Sequence, residues 1–232
     1  MADSAKRLHE SALDYLPGRG GLPALRRAAA DCRGCALYAD ATQTVFGAGP
    51  ADARTVLVGE QPGDQEDRQG KPFVGPAGGL LRRALAEVGI DENQVYFTNA
   101  VKHFKFAPVV DARKRRIHKT PNLREITACR PWLAAELSRI DPELVVALGA
   151  TAGKALFGGS FRVSEVRGTL LPLPDLSNWD IPAEEGAAQE AGANDHRFLA
   201  TVHPSAVLRA KNRDEAYRGL LSDLRMAARF LG

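Results

Sequence analysis

Hydrophobic positions follow two rhythms along this chain. Four short runs, residues 55–58, 95–98, 144–148 and 198–202, are almost continuously apolar and rich in β-branched residues. Strands buried on both faces read this way. Between them the apolar positions recur at helical spacing. Residues 79–88 bring Leu81, Ala84, Leu85 and Val88 onto one face and stop at Gly89. Residues 214–231 do the same with Tyr217, Leu220, Leu221, Leu224 and Leu231. A third helix is expected from Thr120-Pro121, where threonine can cap and proline suits the first turn. Pro131 should break or kink it just after Cys129. Strands alternating with helices predict a single α/β domain, with a central, mainly parallel four-stranded sheet flanked by helices. Residues 1–22 are expected at its periphery. Residues 172–194 hold Pro, Gly, Ala, Asn and acids without a period, and read as a surface insertion. A linker is less suitable there, because the last β-run is needed by the same sheet.

Open parallel sheets bind their ligands at the carboxyl ends of the strands. Here those ends carry Gly59-Glu60-Gln61-Pro62-Gly63, Asn99, Gly149 and His203-Pro204-Ser205. Three of the four offer polar groups able to read a ligand or move protons. That convergence says more than any one residue.

Composition narrows the class. With 232 residues, 44% of them hydrophobic and 25% charged, the chain suits one soluble globular domain. No apolar stretch approaches the ~20 residues that span a bilayer. Residues 1–16 mix Asp3, Lys6, Arg7 and Glu10 with single apolar residues, so no signal-peptide core is expected there. A cytosolic location and no membrane partner are the expectation. The net charge of +3 does not select a nucleic-acid partner. Its distribution is more informative. Arg113, Lys114, Arg115, Arg116 and Lys119 form a basic run with Lys102 and Lys105 upstream, whereas residues 168–196 contain acids and no Lys or Arg. One face can attract phosphate while another repels it, although a solvated loop would look the same. Cys32, Cys35 and Cys129 make no even disulfide set, and a C-x-x-C pair in a cytosolic chain points to metal binding or redox chemistry.

Gly59-Glu60-Gln61-Pro62-Gly63 and His203-Pro204-Ser205 resemble the two signature motifs of the uracil-DNA glycosylase superfamily. The C-x-x-C pair resembles the start of its iron–sulfur family four. Gly70-Lys71-Pro72-Phe73-Val74-Gly75 and Thr98-Asn99-Ala100-Val101-Lys102 extend the match, which runs from Cys32 to the C-terminus apart from residues 172–194. Two features depart from ordinary family four: Gln61, where a small residue is usual, and the segment Lys114-Arg115-Arg116-Ile117-His118. Both are similar to the UdgX branch, a glycosylase-like group that becomes trapped on uracil-containing DNA.

The resemblance implies roles. An enzyme acting on a base takes it from single-stranded DNA or flips it out of a duplex into a closed pocket. Phe73 would stack on the base, and Asn99 would read uracil N3–H and O4, a pattern that cytosine reverses. Gln61 and Asp64 would join them at the base. His203 would donate a hydrogen bond to the charge developing on uracil O2. His118 would attack C1′ of the sugar, with Glu60 taking the second ring proton or holding the tautomer. The product would be a lasting covalent adduct. Lys114, Arg115, Arg116 and Arg209 would contact the DNA backbone, with Leu208 or Arg209 also able to act as a wedge. Asp67 reads as an exposed turn residue. Cys32, Cys35 and Cys129 supply three thiolates, and by resemblance His103 stands where family four has its fourth ligand to a 4Fe–4S cluster. A Cys₃His zinc site has the same donors. The protein is expected to act as a monomer. Ordinary turnover hydrolysis and a noncatalytic nucleic-acid-binding module remain as alternatives.

Overall fold

A computed structural model describes residues 11–107, 116–175 and 195–232. In chain order the elements are α1 (Leu22–Ala29), β1 (Thr55–Gly59), α2 (Asp64–Gln69), α3 (Pro76–Val88), β2 (Val95–Asn99), β3 (Phe106–Ala107), β4 (Ile117–His118), α4 (Leu123–Ile140) and β5 (Leu144–Leu148). They continue with α5 (Ala150–Phe157), α6 (Val163–Val166), β6 (Leu170–Pro172), β7 (Arg197–Thr201), α7 (Pro204–Arg209) and α8 (Arg213–Leu231).

The sheet runs β2-β1-β5-β7-β6. The first four strands are parallel, in the registers Thr55↔Val95, Thr55↔Leu144 and Leu144↔Arg197. All four match the expected β-runs to within a residue. β6 adds a fifth strand, antiparallel to β7, which corrects the four-stranded expectation. Its three residues, Leu-Leu-Pro, are too short to show a period, and Pro172 suits an edge position. It ends at Pro172, the first residue of the expected insertion. Residues 176–194 lie outside the described residues.

Alternation along the strands sends side chains to two apolar layers. Val56, Val58, Tyr96, Val145, Ala147 and Phe198 pack with α1, α4 and α5 on one face. Leu57, Phe97, Val146, Leu148 and Leu199 pack with α3, α7 and α8 on the other. Both faces are covered, so the four parallel strands are buried throughout, apart from the first residue of β7. No helix among the described residues is long and apolar enough to cross a membrane.

α4 departs from expectation at both ends of the argument. It starts at Leu123, because Asn122 accepts from the Glu125 N–H while the Glu125 carboxylate accepts from the Asn122 N–H. That reciprocal box displaces Thr120-Pro121 as the start. The helix also continues through Pro131 to Ile140. Pro131, Trp132, Leu133 and Ala134 are all buried, and the Ala12 N–H docks on the Ala128 carbonyl one turn earlier. Packing holds the helix although proline cannot donate to the Thr127 carbonyl, and Ala12 ties the neighbouring Ala128 carbonyl to the segment before α1.

Candidate active site

Glu60 follows β1, Asn99 ends β2 and His203 stands two residues beyond β7. All three line one cavity of about 860 Å³, together with Phe73, His118 and Arg209. Two glycines make the approach possible. A Cβ on Gly59 would collide with the Asn99 amide oxygen and lie 2.7 Å from the Phe73 ring. Gly149, after β5, has φ +91°, and a Cβ there would press on the His203 Cβ. Phe73 itself has φ 55°, a left-handed conformation that is rare for a bulky residue and costs roughly 1–3 kcal/mol. Arg82 holds its carbonyl at 2.6 Å, and its ring lies 5.8 Å from that of Phe97 and 6.5 Å from His203. Glu66, the third residue of α2, accepts from the Gly63 and Gly75 N–H groups and so ties the loops before and after Phe73 together.

The protonation of His203 follows from its contacts. The Ser205 backbone N–H donates to Nδ1 at 3.1 Å, so Nδ1 bears the lone pair. Burial lowers its pKa to about 4, helped by His118 and Arg209. A neutral ring with its proton on Nε2 is therefore the form present near neutrality. It is a hydrogen-bond donor without a charge to lose.

Glu60 joins two elements. One oxygen accepts from the Thr151 hydroxyl of α5 at 2.6 Å, and the other lies 3.4 Å from His118 Nε2. Burial lowers the His118 pKa, Glu60 pulls it back and Arg209 lowers it again, with the net direction downward.

His118 reaches the cavity on the β3–β4 hairpin, where Phe106 pairs with His118 and Ala107 with Ile117. Gln61 fastens the base of that hairpin. Its Nε2 donates to the Lys105 and Lys119 carbonyls and its Oε1 accepts from the Lys105 N–H, all at 3.0–3.1 Å. Arg116 fastens the next residues. It donates to Asp64 at 2.5 Å and Asp67 at 2.7 Å and lies over the rings of Phe104 and Phe106.

These contacts revise several expectations. The Gln61 amide, expected at the base, is turned to the hairpin backbone. The Asp64 carboxylate, expected at the base, pairs with Arg116 and Arg68; burial opposes its ionisation, but the two guanidiniums hold its pKa low. Arg116, expected at DNA phosphates, has only 13% of its side chain exposed. Asp67 is fully buried instead of exposed, and also accepts from the Thr42 N–H. Lys102 belongs to no basic surface. It is buried against Glu136, and also donates to Thr98 Oγ1 and to the Asn99 carbonyl. Arg209, expected at the DNA backbone, is exposed beside the cavity. Lys114 and Arg115 lie outside the described residues.

The sequence profile described as the Uracil DNA glycosylase superfamily matches residues 46–225. The chain belongs to that superfamily. It is 34% identical to the Type-4 uracil-DNA glycosylase of Thermotoga maritima over 201 residues, 86% of this chain and 89% of that protein. The Type-4 uracil-DNA glycosylases of Pyrobaculum aerophilum and Archaeoglobus fulgidus are each 32% identical, over 77% and 80% of this chain and 80% and 82% of theirs. For a superfamily member, the cavity sits where the fold predicts, at the carboxyl ends of the strands.

The cysteines of this superfamily member lie apart from that cavity. Cys32 and Cys129 are buried and Cys35 partly so. Burial raises the pKa of Cys129 and of Cys35, and neighbouring thiols raise both further. Trp132 Nε1–H donates to Cys32 Sγ and the Lys102 N–H to Cys129 Sγ, each at 3.2 Å. Thr44 spends its one hydroxyl proton on the Ala29 carbonyl, so at its 2.9 Å contact with His103 the ring Nε2–H must donate. His103 is then neutral with its lone pair on Nδ1. Burial, which lowers its pKa to about 4 against a smaller upward pull from Asp67, agrees. Soft sulfurs with N–H donors and a hydrogen-bonded histidine fit a metal centre chemically. Among the described residues no three His, Cys, Asp or Glu side chains are gathered closely enough for one metal ion.

Thr151, Glu66 and the Lys102–Glu136 pair escaped the sequence reading. Thr151 follows Gly149 by two residues, so looking one helical turn past each strand end would have found it. Glu136 carried no signal, being one acid on an otherwise ordinary helix.

Proposed function

We propose that this chain excises uracil from DNA and finishes the reaction bonded through His118 to C1′ of the abasic sugar, as in the UdgX branch it resembles. The observation that carries the proposal is the Glu60–His118 contact inside the cavity that also holds Phe73, Asn99 and His203. Phe73 stacks on the flipped base and Asn99 distinguishes uracil from cytosine by the direction of its amide hydrogen bonds. As the C1′–N1 bond breaks, its electron pair leaves with the uracil, and the neutral His203 Nε2–H stabilises the charge on O2. One nitrogen of His118 then donates its lone pair to C1′. The other must lose its proton, and Glu60 is the carboxylate in reach. The product is a neutral alkylated imidazole, a poor leaving group, so one molecule performs one turnover.

Gln61, Asp64 and Arg116 serve this reaction at one remove, by fixing the hairpin that carries His118. Arg209 contacts the DNA backbone, and we assign the same role to Lys114 and Arg115. Cys32, Cys35, Cys129 and His103 hold a 4Fe–4S cluster, which when bound would neutralise the thiolates and tie α1, α4 and the loop after β2 together. Soluble, monomeric action on DNA in the cytoplasm completes the reading.

A uracil-containing oligonucleotide incubated with the protein and run on a denaturing gel tests it. A heat- and detergent-stable shifted band is expected. Abasic product without a shift would indicate ordinary turnover with water as nucleophile, and neither band nor cleavage would leave a noncatalytic DNA-binding module.

A further inference from the structure

Ile117 has no role in the chemistry above, yet it stands between the two residues that matter most to the hairpin. The residue is 69% exposed, more than the other exposed large hydrophobics among the described residues, Leu123 and Phe157. Strand alternation explains why. Arg116 and His118 both turn toward the Phe104 ring, so Ile117 between them faces the other way. Nothing in the fold requires an isoleucine there. It nevertheless lines the cavity, as does Leu208 from α7.

We infer that Ile117 packs against the base next to the excised one and supports base flipping from paired DNA; this rests on the uracil-excising reading above. A flipped base enters the cavity past its rim, and its chain neighbours are held over that rim by the phosphodiester backbone. Removing the base leaves a gap in the stack, which proteins fill with apolar side chains. A single exposed isoleucine is ordinary on a protein surface. This one differs in being held rigidly. Gln61 grips the Lys119 carbonyl two residues after it, and Arg116 grips Asp64 and Asp67 immediately before it. A wedge must not yield when the stack pushes back. The exposed Arg209 at the same cavity supplies a cation for the adjoining phosphate.

Single-stranded substrate has no opposing strand and little stacking to replace, so the contribution should be confined to duplex. The test compares the full-length protein with Ile117→Ser and Ile117→Leu on one uracil oligonucleotide, single-stranded and paired. Ile117→Ser should slow uracil release from duplex at least about 10-fold, the scale of one buried isoleucine, and from single strands less than about threefold. Ile117→Leu should restore most of the loss. Equal losses on both substrates, or none on duplex, would overturn the inference. Binding to a duplex carrying a tetrahydrofuran abasic analogue, which cannot react, separates the two readings. Weaker binding by Ile117→Ser with no uracil release by the wild type would sink the glycosylase reading alone. Unaltered binding together with unaltered duplex release would sink the wedge alone.

Discussion

The floor and the rim of the cavity are built by different means. The floor is made of strand ends: Glu60, Asn99 and His203 follow β1, β2 and β7, whose positions are fixed by backbone ladders and two apolar layers. The rim is a two-residue ribbon, β3–β4, too short to hold itself. It is fastened by side chains, chiefly the Gln61 amide and the Arg116 guanidinium. The floor resembles what a base-excising enzyme needs in general. The rim carries the one residue that would change its outcome, from releasing the sugar to keeping it.

That contrast predicts separable effects. The largest belongs to the proposed nucleophile. His118→Gly should abolish the denaturant-stable adduct while free uracil is still released; a persisting adduct would show that another residue is bonded. Next comes the floor. His203→Ala should slow uracil release by about 10²–10³-fold, or roughly 3–4 kcal/mol of transition-state stabilisation, measured in single-turnover assays. A loss under fivefold would remove His203 from the departure step. The rim's fastening should matter to stability and adduct more than to release. Arg116→Ala leaves the fully buried Asp67 without its guanidinium, which should cost about 3 kcal/mol in urea unfolding and reduce adduct yield relative to uracil release. Parallel losses of both would erase the distinction between rim and floor.

The smallest effect is that of pH. The His118 pKa is lowered, chiefly by burial, so the nucleophilic neutral form is already dominant at pH 7. Adduct formation should be flat from pH 8 to 7 and fall only as pH drops through that lowered value. A decline between pH 8 and 7 would mean a raised pKa and a charged ring.

Legibility in the sequence follows the same division. The strands and the floor residues could be read because continuous apolar runs mark buried parallel strands and the motif residues stand directly at their ends. Gln61, Asp64 and Arg116 were visible as unusual or charged residues, but not their partners. Each is satisfied by groups 40 to 60 residues away, and spacing along a chain carries no record of such pairings. Lys102 shows the same limit. As a lysine near a basic run it read as surface, while its ammonium is buried against Glu136 34 residues on. Pro131 is a related case: of the break or kink it suggested, the break does not occur, because the helix packs against residues over a hundred positions earlier, Ala12 among them.

The proposed covalent bond can be located directly. After reaction with a uracil oligonucleotide and nuclease trimming, trypsin should cut after Arg116 and Lys119 and release Ile117-His118-Lys119. Tandem mass spectrometry of that tripeptide should find the deoxyribose phosphate on the His118 ring. An unmodified tripeptide, with the sugar on another peptide or on none, would contradict the account.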